Sequence, residues 1–357
     1  DPEIHKAVWP STGSYCRGGA FDCALLACTA VAILPEEMSK ERFDWLREIG
    51  AEIYVTPGCE SNVKEIYDKC AELRKDPTFV ILNHFDEFGN PLWHYHITGN
   101  AISEVFEAIK KPGDRLSGYV SATGSAGTIA AGDFLKNQYP SCKINATEAL
   151  ECPTLLMNGF GKHRIEGIGD KHIPWIHNVR NTDLVTAIRD EDCMRLLRLF
   201  NEPIGIKYLK QNGINPNLAD KLDLLGISSI CNLLSAIKMA KYYEFNEQDI
   251  IFTSFTDSSL MYHSRLQEQT AAKGEYSELQ AALDREGVLN AQSYDNLLEL
   301  SYKEKKRIHN LKYYTWVEQQ GKSETELIQQ WEPEYWIETF ENNLSELDNA
   351  IEEFNNS

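Results

Sequence analysis

From Val8 to about Leu266 the chain alternates short, continuous apolar runs with stretches whose apolar residues recur at helical spacing. Val31–Leu34 is such a run, ended by Pro35, and has the composition of a strand buried on both faces. Glu52–Thr56, Thr78–Leu82, Leu116–Ser121, Lys143–Thr147 and Asp249–Thr253 read the same way, and a further strand leads into Pro10. Between them the spacing predicts helices over Ser14–Thr29, Glu36–Ile49, Asn62–Leu73, Ile129–Asn137 and Ile230–Lys241, with Gly50 where a helix stop is expected. Strands alternating with helices across short loops pair in parallel and are covered by helices on both faces. The fold class is α/β.

Beyond Gln267 the pattern changes. Residues 331–357 carry eight acidic side chains and no basic one, yet include Trp331, Tyr335, Trp336, Phe340 and Phe354. So many aromatics indicate packed helices rather than disorder, and Ser323 with Glu326 has capping-box spacing. The length of 357 residues suits about two domains. The expected division is a smaller α/β unit over 8–110, a larger one over 111–266, and a helical, acidic, aromatic-rich extension over 267–357 that packs on the core or on another subunit.

Charge narrows the partners. Lys and Arg total 35 against 54 Asp and Glu, a net charge of −19, which repels nucleic acid and anionic membrane surfaces. No run approaches the roughly 20 apolar residues of a membrane span. Nine cysteines without a C-x-x-C read as buried, reduced thiols of a cytoplasmic protein, with Cys16 and Cys23 turned inward from one helix.

Three loops carry candidate chemistry. Ser121-Ala-Thr-Gly-Ser-Ala-Gly-Thr128 lies between a strand and a helix. Its glycines permit a tight turn, and the free amides of the following helix attract an anion, most simply a phosphate. An ordinary glycine turn would look the same, and the spacing matches neither the triphosphate nor the dinucleotide fingerprint. Pro10-Ser-Thr-Gly-Ser-Tyr15 offers hydroxyls and amides to a second anion such as an amino-acid carboxylate, or simply caps a helix. Ser254 follows the last strand, where ligands gather in parallel sheets. His94 and His96 would share one face of a strand, but no third ligand follows at useful spacing, so no metal is expected. His163 and His172, around Glu166–Gly169, either edge a site or are solvated loop residues.

Taken in order, these segments resemble the cysteine synthase and cystathionine β-synthase family of pyridoxal-phosphate enzymes, the fold type II or tryptophan synthase β-like group. P-S-T-G-S-Y-C at Pro10–Cys16 resembles that family's P-T-S-G-N-T-G, and Leu34-Pro-Glu-Glu-Met-Ser39 its M-P-E-x-M-S. Arg42–Gly50, Gly124-Ser-Ala-Gly-Thr128, Glu166-Gly-Ile-Gly169, Gly226-Ile-Ser-Ser-Ile230 and Thr253-Ser254 follow in the family's order. The resemblance implies two three-layer α/β/α domains with mostly parallel sheets. It implies pyridoxal 5′-phosphate held at its phosphate by Gly124, Ser125, Ala126, Gly127 and Thr128, with Ser14 and Gly226 near the ring. It also places Ser254 on the pyridine nitrogen, and Ser11, Thr12, Gly13, Tyr15 and His84 on the substrate carboxylate.

The activity implied is β-replacement or β-elimination on a serine- or cysteine-type amino acid through an aminoacrylate intermediate, in a homodimer. Departures bear on the substrate. Ser14 replaces an asparagine, Tyr15 a threonine, and Ile230 a glycine at the mouth; Ala126 replaces a glycine and fits the cup provided its φ is negative. The family's Schiff-base lysine lies upstream of the first loop. Lys6 lacks its neighbours, so the lysine is expected from a preceding segment or a partner chain, the alternative being a non-catalytic subunit that keeps the fold.

Overall fold

In the computed structural model, which describes residues 2–342 and 344–356, two open sheets carry the chain. The first has the order β3-β2-β1-β4, built from β1 (Lys6–Pro10), β2 (Thr29–Pro35), β3 (Glu52–Thr56) and β4 (Phe79–Ile81). All its pairs are parallel, with Val8 opposite Val31 in register. The second has the order β8-β5-β6-β7-β9, from β5 (Arg115–Ala122), β6 (Lys143–Ala149), β7 (Leu184–Ile188), β8 (Asp249–Thr253) and β9 (Leu297–Glu299). It is parallel except for β9, which runs antiparallel to β7.

The predicted elements form, with shifts that have local causes. The first helix ends at Leu25 rather than Thr29, because Ala27 turns left-handed at φ 53 and Thr29 already pairs in β2. The second helix begins only at Lys40. Helix Ile227–Tyr242 starts three residues before the expected Ile230, with Gly226 as its N-cap. Ile230 is fully buried in a hydrophobic cluster with Ile188 and Leu197, so its side chain does not reshape any mouth. β7, β9 and the helices Gly99–Ile109 and Asp190–Asn201 carry no expectation from the sequence reading above.

The chain beyond 267 is less an appendage than a cover. β9 completes the larger sheet, while Trp316 donates to Ile173 O at 2.8 Å. Lys312, fully buried, donates to Trp175 O, His177 O and Gln330 Oε1 at 2.7 to 2.8 Å. Ser323 caps helix Glu324–Gln329 by accepting from the amide of Glu326, as its spacing predicts. All nine cysteines are free thiols, and all but Cys28 are buried. No helix among the described residues is long and apolar enough to cross a membrane.

Candidate functional site

Every strand that supplies the site delivers its loop from the carboxyl end, where parallel sheets leave backbone amides and side chains unpaired. β1 ends at Pro10 and releases Ser11–Ser14, β4 ends before His84, β5 runs into Gly124–Thr128, and β8 delivers Ser254. These loops converge on one cavity of about 300 Å3. Ser11, Thr12, Gly13, Ser14, Tyr15, His84, Gly124, Ser125, Ala126, Thr128 and Ser254 all line it. The two sheets approach closely here. A Cβ on Gly13 would stand 2.7 Å from the Cα of Gly167, so only glycine lets the first loop touch the Glu166–Gly169 segment.

The turn after β5 is a cup. Among the described residues the amides of Gly124, Ser125, Ala126 and Thr128 have no backbone acceptor. Ala126 adopts φ 64, so the condition for an unstrained fit, a negative φ, is not met. The cup needs the left-handed turn that a glycine would supply, and alanine accepts about 1 kcal/mol of strain to make it. Tyr119 donates to Thr128 O at 2.9 Å, and the hydroxyls of Ser121 and Thr128 lie 2.8 Å apart. Asn90, absent from the sequence-derived candidates, donates its amide to His84 O (2.8 Å) and to Ser125 Oγ (3.1 Å). Because Ser125 accepts there, its own proton is left to donate to an anion in the cup. Gly127 does not line the cavity; a Cβ on it would fall 2.1 Å from Asn90 Oδ1, so its part is to make room for that side chain.

Ser11–Ser14 form a second ring of donors. Ser11 Oγ accepts from the amide of Gly13 at 2.9 Å, and the amides of Thr12, Ser14 and Tyr15 have no backbone acceptor among the described residues. Ser14 makes no side-chain cap to helix Tyr15–Leu25, leaving that positive helix end open to the cavity. Tyr15 does not swing loose at the mouth. Its hydroxyl donates to Leu82 O at 3.1 Å, and its ring stacks on His84 with centroids 4.1 Å apart. Burial pushes His84 down to about 3, so the imidazole is neutral, and its Nε2 has no partner among the described residues.

The back of the cavity is charged. Glu166, fully buried, accepts from Arg265 Nε at 2.7 Å and faces Arg42 Nε at 3.6 Å. Arg42, also fully buried, lies 3.6 Å from Asp257, which accepts from Tyr262 Oη at 2.6 Å. Asp257 Oδ1 is buried without a partner, and desolvation pushes that carboxyl up while Arg42 opposes the shift. Gly226 sits beside this group, outside the cavity lining; a Cβ there would meet Asp257 Oδ1 at 2.0 Å. Asn232 clamps two loops together, accepting from the amide of Ala122 at 2.8 Å and donating to Ser254 O at 3.1 Å. Asn90, Asn232 and Asp257 carried no motif; only their position after or between the recognised loops could have suggested them.

The histidines correct the sequence reading. His94 and His96 lie in a helical turn, His94–Thr98, not a strand. His94 bonds Thr98 Oγ1 at 2.9 Å and lines the cavity, while His96 bonds Phe340 O at 2.6 Å in the C-terminal cover. His163 is buried against Gly169 O, and His172 pairs with Thr315, so neither edges the cavity nor stands in solvent. Lys6 pairs with Glu52 at 2.7 Å at the start of β1, the opposite end of the sheet.

A cup of free amides with two hydroxyls fits a phosphate monoester, and the second donor ring fits a carboxylate. Comparison with known proteins agrees with that chemistry. Residues 3–206 match the family model described as pyridoxal-phosphate dependent enzyme. The chain is 31% identical over 235 residues to a cysteine synthase of Staphylococcus aureus (strain N315), covering 66% of this chain and 68% of that protein. It is 32% identical over 201 residues to a probable cysteine synthase of Bacillus subtilis (strain 168), covering 56% and 63%. In fold it is similar to a hydrogen sulfide-producing enzyme of Fusobacterium nucleatum, with a TM-score of 0.61, 23% identity, and 83% and 81% of the two chains covered. It is likewise similar to a cysteine synthase of Entamoeba histolytica, with a TM-score of 0.62, 23% identity, and 81% and 77% covered. The chain belongs to the family of pyridoxal-phosphate dependent enzymes.

Proposed function

We propose that the cavity performs β-replacement or β-elimination on a serine- or cysteine-type amino acid, the chemistry named for the cysteine synthases it resembles. The observation that carries this reading is the meeting, in one 300 Å3 cavity, of a phosphate cup, a carboxylate ring and a strand-end hydroxyl. Pyridoxal phosphate supplies the electron sink when bound. Gly124, Ser125, Ala126 and Thr128 hold its phosphate, with Gly127 behind them making room for Asn90. Ser254 would meet the pyridine nitrogen with a neutral hydroxyl, and Ser14 would stand beside the ring. Thr12, Ser14 and Tyr15 offer amides to the substrate carboxylate, Thr12 adds its buried hydroxyl, Ser11 fixes that loop through Gly13, and neutral His84 adds its free nitrogen. Orienting the carboxylate fixes the bond broken at Cα and the departing group at Cβ.

No lysine of the described residues lines the cavity. We place the imine-forming lysine in a segment or partner chain outside these residues; the same observation favours the second reading, a non-catalytic subunit that retains the fold. We further propose the division 8–110, 111–266 and 267–357, a cytoplasmic location, and a homodimer, the last supported by the exposed apolar Phe21, Leu25 and Leu26. Adding pyridoxal phosphate to the natural protein tests the reading. A visible absorption band that borohydride abolishes, with the label found on one lysine by peptide mass, supports it; cofactor bound without such a band favours the non-catalytic subunit.

A further inference from the structure

A second cavity, of about 280 Å3, lies apart from the first between helix Ala130–Gln138 and the C-terminal cover. Its floor is Asp133, 6% exposed. One oxygen of that carboxylate accepts from the amides of Asn178 and Asn181, and no ion pair to it exists among the described residues. The nearby Lys136 is spent elsewhere, on both oxygens of Asp183 at 2.8 Å and on Asn181 O at 3.0 Å. Asn178 Oδ1, also on the lining, is buried without a partner. A buried carboxylate with no ion pair is costly, and burial pushes this carboxyl up to about 7 against the opposing pull of the Asn181 amide and of Lys136.

The rest of the lining suits a positive guest. Trp336 and Phe340, 4% and 2% exposed, form an aromatic wall, and Tyr95 stacks on Phe340 with centroids 4.7 Å apart. At the mouth Glu341 accepts from Tyr95 Oη at 2.8 Å, and Arg180 is tied by one guanidinium nitrogen to Trp331 O at 2.6 Å. An acceptor without a donor (Asn178 Oδ1), a buried carboxyl without an ion pair and aromatic faces are the features that recognise an organic ammonium group, whose charge would hold that carboxyl in its ionised form. We propose that this cavity binds a small primary ammonium compound, its cationic head on Asp133 and Asn178 and its carbon chain against Trp336 and Phe340. Two sources share that chemistry. A diamine would present the ammonium alone, whereas a free amino acid would also bring a carboxylate within reach of Arg180.

Isothermal titration of the natural protein with 1,4-diaminobutane and, separately, with L-norvaline tests the proposal. Saturable binding of either is expected, weakened at least tenfold by Asp133→Asn, which keeps the side chain's shape and removes its charge. Should that variant fail to fold, Ile337→Trp, at a half-exposed mouth position, blocks entry without touching the buried amides. Norvaline could also enter the catalytic cavity, so its heat counts only where Ile337→Trp or Asp133→Asn removes it while Ser254→Ala does not. Binding by diaminobutane alone assigns the source as an amine, and binding by norvaline alone as an amino acid. No saturable heat from either compound, or binding that both variants leave intact, overturns the proposal.

Discussion

Replacing Gly127 by alanine probes the link between the phosphate cup and the substrate side of the cavity. The added Cβ would fall 2.1 Å from Oδ1 and 2.5 Å from Cγ of Asn90, so that side chain must swing away. Two hydrogen bonds go with it, to His84 O at 2.8 Å and to Ser125 Oγ at 3.1 Å. At about 1 kcal/mol each, restoring the shape of the cup around the ligand costs up to about 2 kcal/mol, or up to roughly thirty-fold in affinity. The appropriate ligand is 4′-deoxypyridoxine phosphate, which lacks the aldehyde and so reports on the phosphate and ring contacts without needing a lysine. Its dissociation constant is expected to rise by up to about thirty-fold in Gly127→Ala, and by a similar factor in Asn90→Ala. The double variant is the decisive case. Because both changes remove the same two bonds, their effects should overlap almost completely rather than add. Additive losses, or a Gly127→Ala protein that binds as well as the parent, would refute the role given to Asn90.

Three further outcomes follow from other parts of the fold. Ala126→Gly relieves a left-handed alanine; the relief of about 1–2 kcal/mol less the roughly 0.4–1 kcal/mol of added chain entropy should raise the melting temperature slightly, and a fall would show that the φ of 64 is unstrained. Arg42→Met leaves Glu166 and Asp257 buried without their shared cation and should cost about 3–5 kcal/mol. That cost should be smaller at pH 5 than at pH 8 in thermal melts, since protonating Asp257 removes uncompensated charge; equal losses at both would argue against the ion cluster. His177 is fully buried and held down to about 3 by desolvation, against an ordinary value near 6.5. The unfolded chain therefore takes up a proton below about pH 6.5 that the native chain refuses, and stability is lost as pH falls from there toward 3. His177→Gln should flatten that slope by up to about 1.4 kcal/mol per pH unit, as read by urea midpoints between pH 4 and 6.5; an unchanged slope would contradict a neutral native His177.

How far the chain could be read without coordinates depends on what each part needed. Val31–Leu34 announces itself because a strand covered on both faces must be apolar throughout, the half-buried edge strand Asp249–Thr253 through its short Ile-Ile-Phe run, and Ser11–Ser14 and Gly124–Thr128 because an anion cup needs small residues and hydroxyls in sequence. The stop after Leu25 was hidden, since it rests on a left-handed alanine where glycine would have been the signal. The conformation of Ala126 is hidden for the same reason: side-chain sterics favour a negative φ, and the surrounding cup overrides them. Asn90, Asn232 and Asp257 were invisible because each acts through one long-range contact that local spacing cannot encode. β9 escaped notice as a three-residue edge strand in the segment set apart by its charge, although it completes the larger sheet.

Turnover of O-acetyl-L-serine by the natural protein with added pyridoxal phosphate tests the central reading most directly. The account predicts cofactor-dependent product, cysteine with sulfide present or pyruvate without it, with KM raised by Thr12→Val through the loss of a buried hydroxyl in the carboxylate ring. Cofactor bound in the cup with neither product formed under any condition would contradict Cβ chemistry and leave a subunit that keeps the fold without the reaction.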